Sequence, residues 1–276
     1  MTVASAPAAA GGGRTLPAEH PGPWLRRYHD SPARAEATLV CLPHAGGSAS
    51  FYFPWSQALS TRYEVIAVQY PGRQDRHREA CAASIAELAE AAAAEVAAAV
   101  PADRPLVLFG HSMGAVVGFE TARALERLAA AGPGTVRAPD LFLASGRRAP
   151  ALSRDDGIHR LPDRALLDEL KKLGGTDLRM LDDPELFQLV VPTIRADFAA
   201  VETYRPAPDA RVGCPVVALI GDSDPRVSAE QGAAWRDHTA GDFALRVFPG
   251  GHFYLAEQQR DVLATVTAHI DALAAG

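Results

Sequence analysis

Gly110-His111-Ser112-Met113-Gly114 sets a serine between two glycines, directly after the apolar run 106–109 (LVLF) and ahead of a helical pattern through Val117, Phe119 and Ala122. A serine on a sharp strand-to-helix turn holds its hydroxyl clear of the backbone. Flanking glycines remove the side chains that would collide with that turn or with the packed helix. The first amides of the helix favour negative charge developing at the same point. Ser112 is therefore a candidate nucleophile for acyl transfer.

A serine hydroxyl is a weak nucleophile near neutral pH and needs a base within hydrogen-bond reach. Among nine histidines, His252 is best placed: it follows Pro249-Gly250-Gly251, after the last apolar run and before the terminal helical pattern. A loop there can hang over a sheet edge. His159 and His238 sit in polar surroundings that fit solvated surface rings, and His111, beside the nucleophile, is directed away from its hydroxyl. In the chain order serine, acid, histidine, the orienting carboxylate follows the penultimate strand, where Gly221-Asp222-Ser223-Asp224-Pro225 offers two. Asp224 is preferred, because the chain must clear the sheet before its loop turns a carboxylate toward the imidazole. Asp222 then stabilises the turn through its own backbone. A tetrahedral intermediate needs two N–H donors. One is Met113; the other comes from the small-residue loop 42–48 (LPHAGGS), with Ala45 the choice. Beside these groups, His44, Gly46, His111 and Phe253 are candidate substrate contacts.

These residues need a frame that gathers them. Short runs rich in branched or aromatic residues at 38–42, 63–68, 106–109, 141–144, 216–220 and 243–248 read as strands buried on both faces of a parallel sheet, with 24–28 as an edge strand. Helical patterns at 84–100, 113–131, 229–238 and 254–274 alternate with them, which argues for βαβ units in an α/β fold: a mostly parallel central sheet covered by helices on both faces. Such sheets place active sites beyond the carboxyl ends of their strands, where Ser112, Asp224 and His252 all fall. The interval 151–208 has no buried strand. Helices at 162–173 and 184–204, split at Gly174-Gly175, make it a helical lid inserted between two strands, with Pro192 expected to kink or divide the second. The core is then 24–150 plus 209–276, preceded by an Ala/Gly/Pro-rich flexible tail, 1–23.

Bulk properties exclude several alternatives. A formal charge of −6 gives no general attraction to nucleic acid or an anionic membrane. The start of the chain lacks the basic and apolar regions of a signal peptide, and the Ala-rich stretch 84–100 carries Glu87, Glu90 and Glu95, so no membrane span is expected and the protein reads as cytoplasmic. Cys41, Cys81 and Cys214 lack metal or redox spacing and fit buried thiols of a reducing compartment.

Five motifs together resemble the type II thioesterases, stand-alone editing enzymes of polyketide synthases and nonribosomal peptide synthetases. They are Pro43-His44-Ala45-Gly46-Gly47, Tyr70-Pro71-Gly72-Arg73, the Ser112 pentapeptide, Leu143-Ala144-Ser145-Gly146-Arg147 and Gly250-Gly251-His252-Phe253. They occur in the family's order, and the likeness spans nearly everything after Trp24. The resemblance implies an α/β-hydrolase fold with a mobile lid, a Ser112–Asp224–His252 triad, and Ala45 and Met113 as oxyanion donors. It also implies hydrolysis of acyl thioesters from the 4'-phosphopantetheine arm of acyl or peptidyl carrier domains. The pantetheine belongs to the substrate, and no metal or diffusible cofactor is expected. Carrier domains are usually acidic, so docking to this acidic chain calls for a local basic patch; Arg73, Arg76, Arg78, Arg147 and Arg148 are expected on loops at the active-site face. Leu166, Leu170, Leu186, Phe187, Val190 and Phe198 either line an acyl chamber or pack the lid. An oxygen-ester hydrolase, and a non-catalytic binder that keeps the fold, are the competing readings.

Overall fold

A computed structural model describes residues 22–132, 134–174 and 183–275. Most of the expected tail, residues 1–21, and Gly175 lie outside the described residues. Seven strands form one sheet: β1 (Leu25–Arg26), β2 (Thr38–Leu42), β3 (Glu64–Val68), β4 (Leu106–His111), β5 (Leu141–Ser145), β6 (Val216–Gly221) and β7 (Phe243–Phe248). Their spatial order is β1-β3-β2-β4-β5-β6-β7. All neighbours run parallel except β1, which pairs antiparallel with β3.

Alternation along each central strand sends side chains to two separate cores. On one face Val40, Leu42, Ile66, Leu108 and Phe142 pack under α2 (Ile85–Ala99) and α3 (Met113–Ala131). On the other, Leu39, Val65, Val107, Phe109 and Leu143 pack under α1 (Phe53–Leu59) and the terminal helix. Ser84 caps α2, its side chain accepting from the Glu87 N–H.

Between β5 and β6 lie α4 (Asp163–Leu173) and α5 (Pro184–Thr203). Asp183 caps α5, accepting from the Glu185 and Leu186 N–H groups ahead of which Pro184 takes the first helical position. These helices, with Ile158 from the 3₁₀ turn at 158–160, carry a third apolar cluster that includes Leu166, Leu170, Phe187, Val191, Ile194 and Phe198. After β6 come α6 (Ala229–Ala233), α7 (Tyr254–Glu257) and α8 (Gln259–Ala275).

Several expectations change. Pro192 does not divide α5, which runs unbroken from 184 to 203; the apolar residues Val191, Ile194, Phe198 and Val201 around it are buried, and that packing outweighs one missing N–H. The edge strand at 24–28 shrinks to two residues. β7 is an edge as well, so it is only half buried rather than covered on both faces. The pattern at 229–238 ends in a 3₁₀ turn after Ala233, and that at 254–274 is broken at Gln258. Cys41 and Cys214 are buried and Cys81 is half-buried, all three as free thiols. Among the described residues no helix is long and apolar enough to cross a membrane.

Candidate active site

β4 ends at His111 and α3 starts at Met113, so Ser112 alone makes the turn. Its backbone is held at φ +56°, ψ −114°, a conformation that costs a non-glycine residue on the order of 1–3 kcal/mol. The fold imposes it: the Ser112 N–H donates to the Ser145 carbonyl at 2.8 Å across the β4–β5 pair. The flanking glycines are obligatory for a steric reason. A Cβ on Gly110 would lie 2.0 Å from the Gly114 carbonyl oxygen, and one on Gly114 would lie 2.1 Å from that of Leu42.

The turn lifts the Ser112 hydroxyl to 3.0 Å from His252 Nε2, and His252 Nδ1 lies 2.8 Å from Asp224 Oδ2. Both supporting side chains are withdrawn from solvent, His252 at 3% and Asp224 at 0% exposure. The second Asp224 oxygen accepts from the Arg226 N–H at 2.8 Å, which fixes the carboxylate. Asp222 is exposed and meets different groups. It accepts from the Gly250 N–H at 3.0 Å and the Ser223 hydroxyl at 2.8 Å, so it ties its loop to the His252 loop rather than to its own backbone alone.

The loop after β2 closes the far side. Met113 opens α3, so its N–H has no acceptor within the helix, and Ala45 lines the same cleft as Ser112 and Met113. That loop is tethered at several points: the Tyr52 hydroxyl donates to the Leu42 carbonyl, the Gly46 N–H donates to Asp197 Oδ2 at 2.8 Å, and Arg73 Nη1 donates to the Gly47 carbonyl at 3.0 Å. Arg73 and Asp197 are themselves a two-pronged buried ion pair at 2.7 and 2.8 Å, 7% and 2% exposed, reaching from the loop after β3 to the middle of α5. Nothing in local sequence marks this pair, since its members are 124 residues apart.

A thioesterase domain family model matches residues 37–270. The thioesterase PikA5 of Streptomyces venezuelae is 49% identical over 251 residues, 90% of this chain and 86% of that protein. Among solved structures, the type II thioesterase BorB from the borrelidin biosynthetic cluster is 43% identical with a TM-score of 0.81, covering 91% of this chain and 99% of that one. YbtT, a type II thioesterase from the yersiniabactin NRPS/PKS pathway, is 32% identical with a TM-score of 0.80 over 90% and 98%. The chain belongs to the thioesterase family, among its type II members. With that membership comes the α/β-hydrolase fold that the sheet order displays.

The thioesterase contains a second serine–histidine pair, His111 Nδ1 and Ser145 Oγ at 2.9 Å, continued by Ser145 Oγ and the Tyr254 hydroxyl at 2.6 Å. Both His111 and Ser145 are 0% exposed. No acyl group reaches a hydroxyl so placed, so the pair braces β4 and β5 beneath the cleft. The same burial removes His111 as a substrate contact: its ring points into the protein under His252, 5.0 Å centroid to centroid. Gly46 points its N–H at Asp197 rather than into the cleft. His44 and Phe253 do line the cleft, with Leu170, Leu173 and Phe198. Leu186 is exposed, and Leu166 and Phe187 pack the third apolar cluster. His238 is buried, its Nδ1 bonding the Ala210 carbonyl, and His159 pairs with Glu202; neither is a solvated surface ring.

The expected basic docking patch does not form as such. Arg73, Arg76 and Arg148 are buried, Arg147 is half-buried, and of the five only Arg78 is exposed. Arg73 and Arg76 turned inward because Asp197, Glu79 and backbone carbonyls supply the acceptors a buried guanidinium needs.

Burial, with the His252 ring and the Arg73 guanidinium nearby, holds the His44 imidazole down to about 3; burial, with His252 and His44 nearby, holds His111 well below the usual range. In the unfolded chain both rings take up a proton near pH 6.5. The unfolded state therefore binds more protons below that pH, and stability falls as pH drops from 6.5, for His44 until about pH 3. The expected slope is up to about 1.4 kcal/mol per pH unit for each ring. Urea unfolding between pH 7.5 and 5, on the parent and on His111→Asn, checks this: the variant should show the shallower loss, and parallel curves would contradict it.

Proposed function

We propose that this thioesterase hydrolyses acyl groups from the 4'-phosphopantetheine arm of acyl or peptidyl carrier domains, releasing stalled or aberrant chains in polyketide or nonribosomal peptide synthesis. The observation that carries the reading is the chain of contacts Ser112–His252–Asp224, at 3.0 and 2.8 Å, opening on a cleft that Ala45 and Met113 also line. The names of PikA5, BorB and YbtT support the biosynthetic setting.

In this mechanism Ser112 Oγ attacks the thioester carbonyl carbon while its proton passes to His252 Nε2. Asp224 holds the ring with Nδ1–H toward itself and stabilises the imidazolium without taking the proton. The Ala45 and Met113 N–H groups receive the carbonyl oxygen as it becomes negative. The C–S bond then breaks, and His252 returns its proton to the departing pantetheine thiolate. A water enters, gives a proton to His252 and attacks the acyl-serine; collapse releases the free acid and restores the Ser112 hydroxyl. No metal or diffusible cofactor takes part, and the pantetheine is part of the substrate. The segment 151–208 acts as the lid over this cleft, with Leu170 and Phe198 at its inner surface.

A panel of acyl-loaded carrier domains, scored by carrier mass before and after treatment, tests the substrate class. The expected result is loss of the acyl mass, with kcat/KM for a carrier thioester above that for an oxygen ester of the same acyl group. The reverse order would make the chain an oxygen-ester hydrolase.

A further inference from the structure

The cleft at Ser112 divides. One branch, past His44, Leu170 and Phe253, is apolar and aromatic, and Leu173 and Phe198 line both branches. The other runs from Ser112 and Met113 past Gly146 to Arg147, Arg148, Arg154 and Arg226. Four guanidinium groups line this second branch against two carboxylates, Asp156 and Glu202.

The carboxylates do not neutralise it. Glu202 is occupied by the Ile158 and His159 N–H groups at 3.0 and 3.1 Å and by the His159 ring. Asp156 is shared among Arg154 at 2.6 Å, Arg148 at 3.5 Å and Arg226 at 3.6 Å. Among the described residues the Arg147 guanidinium meets no carboxylate, and Arg147 Nε, Arg148 Nε and Arg226 Nη2 are buried with no acceptor. Burial, with Arg148 and Arg226 close by, lowers Arg147 to about 10, so it stays charged at neutral pH. Buried donors on charged groups destabilise the fold when left unmatched. Three of them sharing one catalytic cleft are accounted for by an anion that supplies the acceptors in the bound state. The guanidinium fork suits the oxygens of a phosphate or a carboxylate.

We propose that Arg147, Arg148 and Arg226 form an anion subsite of the catalytic cleft, which binds the negatively charged oxygens of a phosphate or carboxylate carried by the substrate. The inference rests on the hydrolysis proposed above and adds to it what the site selects. Two parts of a carrier-bound substrate bear such oxygens: the phosphate at the root of the pantetheine arm, and a carboxylate on the acyl chain. The apolar branch is left for the uncharged portion.

Three thioesters separate these sources: butyryl-N-acetylcysteamine, which carries no anion; butyryl-4'-phosphopantetheine, which adds the phosphate; and glutaryl-N-acetylcysteamine, which adds a carboxylate. In Arg147→Met the ratio of kcat/KM for an anionic thioester to that for the uncharged one is expected to fall roughly tenfold or more. A fall confined to the phosphopantetheine substrate assigns the subsite to the arm, and one confined to the glutaryl substrate assigns it to the acyl chain. Inorganic phosphate gives an independent readout: it should raise the melting temperature of the parent and not of Arg147→Met, and Arg226→Gln repeats the comparison should the first variant fold poorly. Unchanged ratios together with equal phosphate shifts would overturn the subsite. If the parent hydrolyses none of the thioesters, the proposed reaction is lost, while the phosphate shift still reports on the subsite by itself.

Discussion

Replacing Ser112 by alanine is expected to lower thioester turnover by about four to six orders of magnitude while leaving KM near its parent value. The size of the effect follows from the way the site is built. With Nδ1–H directed at Asp224, His252 Nε2 is the acceptor on the ring edge that faces the cleft, and the Ser112 hydroxyl lies 3.0 Å away to donate to it. Without the hydroxyl the imidazole can activate only water, and the oxyanion donors are left to supply the residual rate. Stability should move the other way in a second variant. Ser112 sits at φ +56°, where glycine is not strained, so Ser112→Gly should be inactive yet about 1 kcal/mol more stable. Steady-state hydrolysis, urea unfolding and labelling by a fluorophosphonate check both expectations. Near-parental turnover in Ser112→Ala would remove the covalent mechanism, and Ser112→Gly less stable than the parent would remove the claim that the turn is strained.

The parts of the site legible in the sequence are those whose position is set by a strand end. Ser112, Asp224 and His252 each follow an apolar run by a few residues, and in a parallel sheet every such run ends on the same side. Chain order and loop length single out these three candidates, and the structure brings their side chains into contact. The helices at 163–173 and 184–203 were legible because prolines mark their starts, although the second carries the branched stretch Val190-Val191. What stayed hidden depends on contacts between distant segments. Arg147 and Arg148 carry the composition of a solvated loop, and only the placement of Asp156, Glu202 and α5 around them buries the charge. His111 had no pattern to show that its ring passes beneath His252 to meet Ser145. Asp197 lies mid-helix, where an acidic residue ordinarily faces water, and it turns inward because Arg73 waits there with the Gly46 N–H. β7 reads as an apolar run apart from Arg246, and its edge position follows from sheet order, which short-range pattern does not encode.

Asp197 supports the second large prediction. Its carboxylate does two things at once: it neutralises the buried Arg73 and accepts the Gly46 N–H, next to the proposed donor Ala45. Breaking a buried pair by removing one partner costs on the order of 3–5 kcal/mol, so Asp197→Ala should be strongly destabilised in urea unfolding. The loop bearing Ala45 also loses its tie to α5. A donor aimed loosely at the developing oxyanion stabilises the transition state less than one held in place, and loss of such a donor lowers kcat by about a hundredfold to a thousandfold; Asp197→Ala should therefore lose roughly tenfold or more in kcat, with little change in KM. Stability and positioning can be told apart by a double variant. In Arg73→Met/Asp197→Leu the charge is gone and the volume is kept, which restores much of the stability, yet the Gly46 N–H still has no acceptor from α5. That protein should fold well and remain slow, whereas Asp197→Asn, which keeps an oxygen for Gly46, should recover more kcat than stability. Full turnover in the double variant would show that the ion pair holds the fold alone; slow turnover in a well-folded protein makes Asp197 the residue through which the helical segment over the cleft sets the oxyanion loop.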